Sequence, residues 1–94
     1  VLPKLGVGSV LRCKVDEISE GYILLKPKQD TFSDYDLSEF GDFDPMEISI
    51  VILKKDLGAT RYQPQNDAKV VVLSIDHTVP ELTCRPATKE ERQK

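Results

Sequence analysis

Residues 30 to 47 read DTFSDYDLSEFGDFDPME and bring together seven carboxylates and four of the chain's six aromatic rings, without a single lysine or arginine. Aromatic faces attract cations, and neighbouring carboxylates reinforce that attraction. Asp34, Tyr35, Asp36, Asp42 and Asp44 therefore form a candidate site for a basic or methylated peptide. Phe32, Tyr35, Phe40 and Phe43 recur every three to five residues. Exposing all four rings to water is costly, so Phe40 and Phe43 are the expected anchors that pin the segment to an apolar core. Outside this block nine acids remain against thirteen Lys and Arg, so a formal net charge of −3 conceals a cationic body with an anionic insert.

Other chemistry is poorly served. Ser38, Glu39, Asp76, His77 and Cys84 are residue types used in nucleophilic catalysis, but no motif of defined local geometry joins them. His77 is the sole histidine, sits in an expected turn and has no second ligand at metal spacing. Cys13 and Cys84 stand far apart without a CxxC pattern, and buried, reduced thiols are expected. The acids lack the spacing and closing glutamate of a calcium loop, and no glycine-rich phosphate cradle is present. The expectation is a protein that is not an enzyme and uses no metal or cofactor.

The elements that must position these residues come from a chain of 94 residues, enough for one compact core. Hydrophobic content of 39% lies far from the disordered regime, and no apolar run approaches the ~20 residues of a bilayer span. No signal-peptide pattern stands at the start, which predicts an intracellular setting, nuclear or cytoplasmic. A first residue of Val1 and a charged end predict a domain flanked by others in a longer protein. Residues 1–88 are expected to form the barrel domain and 89–94 a charged tail.

From Gly8 onward, Leu11, Cys13 and Val15 alternate with Arg12, Lys14 and Asp16, the period of a half-buried strand. Gly21 separates this run from YILLK, which Pro27 stops. The β-branched runs ISIVIL and KVVVLSID, and ELTCR after the HTVP turn, supply further strands. Strands are predicted over 8–18, 21–26, 48–53, 69–76 and 81–85, with either 31–35 or 48–53 as the third. Leu11, Cys13, Val15, Leu24, Val71, Leu73 and Leu82 are core candidates. Residues 57–68 read as a loop, and ATKEERQK is too short and polar for a stable helix. Short strands with exposed edges call for closure, which predicts an all-β fold, a small five-stranded barrel.

The order of segments resembles the ribosomal S-one type of RNA-binding domain, an OB-fold barrel. VGSVLRCKVDEISEGYILL is similar to that family's opening, DLSEF to its segment after the third strand, and NDAKVVVLSIDHTVPELTCRP to its closing strands. The resemblance implies a small OB-like barrel with an acidic loop and a short polar C-terminal tail, binding single-stranded RNA as part of a larger RNA-associated protein. It places Tyr22 as a stacking platform, Phe32 or Tyr35 as a second one, and Arg12, Lys14, Lys26, Lys28 and Arg85 on the phosphates. Asp36 departs from the family's pattern, which has a histidine or neutral residue before Leu-Ser-Glu. Asp34, Asp42 and Asp44 add charge that repels phosphate.

The acidic-aromatic block therefore supports a second expectation, a protein-interaction module. Small barrel readers of the tudor type work with such groups, although no tudor sequence pattern is present. The partners implied are single-stranded RNA or a basic protein segment, and no membrane.

Overall fold

The computed structural model describes residues 2–88. Five strands, β1 (Val10–Ile18), β2 (Tyr22–Pro27), β3 (Ser49–Leu53), β4 (Asp67–Asp76) and β5 (Glu81–Pro86), close into a barrel in the order β1-β2-β3-β5-β4. β3 and β5 run parallel and every other pair is antiparallel. This is an all-β, five-stranded barrel of OB-like architecture. One helical turn, α1 (Lys54–Leu57), follows β3, and two short 3₁₀ turns, Ser38–Phe40 and Pro45–Glu47, lie in the acidic block. The tail expected over 89–94 lies outside the described residues.

The β1 alternation works as the residues predict: Leu11, Cys13 and Val15 are buried, and Arg12 and Lys14 are exposed. β2 and β4 require correction. Ile23 and Leu25 enter the core and Leu24 turns outward, half-buried. On β4, Val70 and Val72 fill the interior, Leu73 faces outward, and Val71 is buried outside the central cluster. Both runs are apolar on both faces, so their register is set by the neighbouring strands and by a bulge between Val72 and Ser74 rather than by alternation. The third strand is 49–53, and residues 31–35 are turn. Ile50 and Ile52 of β3 are fully buried between β2 and β5.

The segment after β2 is tied down by hydrogen bonds as well as by apolar contact. The buried Thr31 hydroxyl accepts from the Lys28 N–H and donates to the Arg12 carbonyl, each at 2.6 Å. The Tyr35 hydroxyl donates to the Val10 carbonyl at 3.0 Å and accepts from the Val10 N–H at 3.2 Å. Phe32 and Phe40 pack in the core, and Asp36 pairs through its backbone with Pro3 and Leu5. Thr31→Val leaves two backbone groups without their partner and is expected to lower stability by about 1–3 kcal/mol, read from the midpoint of urea unfolding.

Candidate nucleic-acid interface

Pairing between β1 and β4 sets Arg12 directly opposite Lys69, and pairing between β1 and β2 sets Lys14 opposite Lys26. Side chains opposite each other on one sheet face have Cβ atoms about 5 Å apart, and like charges placed so are destabilising. Two such pairs side by side make a cationic strip across three strands. Carboxylates stand beside it: Asp16 lies 3.6 Å from the Lys26 ammonium, and Asp67, opposite Lys14 on β4, lies 2.9 Å from that of the neighbouring Lys28. The Lys28 ammonium holds the Asp67 carboxyl below its usual range, chiefly by hydrogen bonding.

Beside this strip lies a groove of about 860 Å³, lined by Arg12, Lys69, Arg61, Tyr62, Gln63 and Asn66 among others. The loop that forms its far wall is fixed to β1. The Gln65 N–H donates to the Val15 carbonyl, and the Val15 N–H donates to the Asn66 carbonyl, both at 2.8 Å. Gln65 adopts φ of 72°, a left-handed conformation that the loop needs in order to meet β1 twice. Across Arg12 and Lys69 lies a second, smaller hollow, about 360 Å³, whose lining includes Asp30, Thr31, Asp34 and Tyr35. The two cations thus form a ridge with a cationic, amide-lined groove on one side and the start of the acidic block on the other.

Tyr22 is 40% exposed at the start of β2, so its ring is open to solvent. It stands four residues from Lys26, about 13 Å along the strand at a rise of ~3.3 Å per residue, outside the cationic strip. Phe32 is only 7% exposed and belongs to the core, so too little of its ring is open for a base to stack on. Tyr35 is half-buried, with its hydroxyl committed to β1. Arg85 is half-buried and donates to the Pro86 carbonyl at 3.2 Å. Lys69, Arg61 and Tyr62 are additions to the residues picked from sequence. Lys69 alternates with the buried Ala68 and Val70, a signal that was available. Arg61 and Tyr62 lie in an aperiodic loop and carry none.

In the acidic block, Asp34, Asp42 and Asp44 are exposed, while Asp36 is half-buried and accepts from the Ser38 N–H at 2.9 Å, which lowers its pKa. Asp44 caps the second 3₁₀ turn by accepting from the Met46 N–H at 2.9 Å. Phe43 is 41% exposed and is no anchor, in contrast to the expectation; Phe40 alone of that pair is buried. Glu39 lies 3.3 Å from both the Lys4 ammonium and His77 Nε2, and the His77 ring is 4.8 Å from that of Phe40. His77, expected to be only a turn residue, joins the β4–β5 turn to the block.

Cys13 and Cys84 are buried free thiols; burial pushes the Cys84 pKa up to about 12 and that of Cys13 higher, which leaves neither as a nucleophile at neutral pH. Among the described residues no group of three His, Cys, Asp or Glu side chains could hold a metal ion, and no helix is long and apolar enough to cross a membrane.

By strand order and surface charge together, the class is a small OB-like barrel with a cationic ridge across β1 and β4. No family model and no curated protein matches the sequence. Among solved structures, the chain is similar to one in the crystal structure of the a/eIF2alpha-aDim2p-rRNA complex from Pyrococcus horikoshii OT3, with a TM-score of 0.62 and 11% identity. The match covers 95% of this chain and 49% of that one, so the barrel spans about half the length of its structural neighbour. At this identity the likeness is one of fold.

Proposed function

We propose that the barrel is a non-catalytic binding module of S-one type that takes single-stranded RNA across the β1/β4 face, within a longer intracellular, nuclear or cytoplasmic, RNA-associated protein. The observation that carries the reading is the like-charged pair Arg12 and Lys69 at the lip of the groove. Phosphates lie along Arg12, Lys69 and Arg61, with Lys14 and Lys26 extending the track, and the counter-ions they release supply salt-dependent affinity. Gln63 and Asn66 offer amide donors and acceptors to base edges. Tyr22 stacks a base farther along the strand, and Lys28 and Arg85 act at the margins, tempered by their contacts with Asp67 and Pro86. The structural neighbour's presence in a complex with rRNA is consistent with this use of the fold.

The test is titration with a short single-stranded oligonucleotide, monitored by amide chemical shifts. Changes are expected at Arg12, Lys69 and residues 60–66, and Tyr22→Ala should weaken binding at every salt concentration, by about 1–3 kcal/mol if a base stacks there. Shift changes that avoid β1, β4 and this loop, or their absence at low salt, overturn the reading.

A second reading, a site for a basic or methylated peptide on the block, is favoured by one observation. Phe43 and Met46 are 41% and 53% exposed beside Asp42, Asp44 and Glu47. Rings and carboxylates in that arrangement suit a cationic side chain.

A further inference from the structure

The acidic block folds so that its two arms leave a slot between them. Phe32, Leu37, Pro45 and Met46 supply apolar walls, Asp44 and Lys28 stand at its rim, and its volume is about 310 Å³. Phe32 and Leu37 are held against the core, so the inner wall is fixed. Met46 belongs to the outer arm, capped by Asp44, and an unbranched thioether can shape itself to an incoming side chain. The volume stands at the small end of the roughly 300–1,000 Å³ of ligand sites, room for one large side chain rather than for a cofactor.

The charge around the slot selects what else the occupant carries. Asp34, Asp42, Asp44 and Glu47 are exposed, and among the described residues the ion pairs of the block all involve Glu39. Among the described residues the cation lining the slot is Lys28, engaged by Asp67 at 2.9 Å. A phosphate backbone is repelled here, and a purely apolar segment leaves the carboxylates uncompensated.

We infer that the slot between residues 28–33 and 44–46 is a docking site for a partner-protein segment that inserts one aliphatic or aromatic side chain and carries lysine or arginine on either side of it. This rests on the second reading above and adds an apolar anchor to it. The anchor supplies grip, while the carboxylates speed and orient the encounter.

The test uses three short peptides on the isotope-labelled chain: a single leucine between pairs of lysines, the same peptide with glycine for leucine, and the leucine peptide with glutamates for lysines. The leucine-lysine peptide should shift the amides of Phe32, Leu37 and Met46 and bind about tenfold tighter than the glycine form. Met46→Glu changes an exposed residue, so the fold is retained; it should erase the leucine preference. Equal affinity of the leucine and glycine peptides at the block overturns the anchored slot and leaves the electrostatic reading standing. No shift with either lysine peptide overturns both. Binding of the glutamate peptide at the slot overturns the charge argument, and self-association of the chain through these residues would assign the slot to a second copy instead.

Discussion

Replacing both members of the cross-strand pair, Arg12→Glu with Lys69→Glu, is expected to lower affinity for a short single-stranded RNA by well over tenfold at low salt. Two phosphate contacts are lost, and each contributes a slope of about −0.7 to the dependence of log affinity on log salt concentration for single strands, so the slope should flatten by about 1.4. Two carboxylates placed at the lip of the groove add repulsion that also fades with salt. Both side chains point away from the core, so the unfolding midpoint should change little by comparison. Fluorescence anisotropy across a salt series separates the outcomes. An unchanged slope would place the RNA elsewhere, and Tyr22 would then mark the other path.

The largest loss of stability is expected at Leu82, which is fully buried on β5 between its partners Ile50 on β3 and Ile75 on β4. Leu82→Ala removes apolar area and leaves a cavity that the barrel cannot collapse into, because strands on both sides are fixed by hydrogen bonds. The cost should be about 2–5 kcal/mol, a large share of the ~5–15 kcal/mol typical of a small domain. Leu73→Ala, on the outward face of β4, should cost less than half as much. Urea unfolding with an unchanged slope checks both, and a greater loss at Leu73 than at Leu82 would reverse the assignment of inside and outside.

Where side chains alternate in polarity, the sequence was enough. β1 announces both its span and its facing because Arg12 and Lys14 interrupt Leu11, Cys13 and Val15, and β5 does the same with Leu82 and Cys84. β2 and β4 disclose their spans but not their facing, since Leu24 and Leu73 are as apolar as the residues beside them and only pairing decides which go inside. The candidate site was half legible. Arg12, Lys14 and Lys26 are outward by alternation, but that Lys69 meets Arg12 depends on a pairing between distant parts of the chain, and Arg61 and Tyr62 reach the groove through a loop whose shape no periodicity encodes. Phe32 and Phe43 exchanged their expected circumstances for a related reason. A ring three residues from its neighbour in an irregular segment can face either way, and hydrogen bonds at Thr31 and Asp44 decide it.

The double pairing of β1 has a consequence in time. Its residues Cys13 and Lys14 meet Pro27 and Lys26 on one side and Ala68 and Asp67 on the other, so one strand joins a hairpin neighbour to a segment from the far part of the chain. The hairpin can assemble locally within microseconds. The seam with β4 must wait until a long intervening stretch has been gathered, and β3 and β5, parallel and distant, wait with it. Topologies dominated by such distant pairings mature over milliseconds to seconds. The face that carries Lys69 beside Arg12 exists only where this seam is closed, so the cationic ridge is a product of the completed barrel and not of any local segment of the chain.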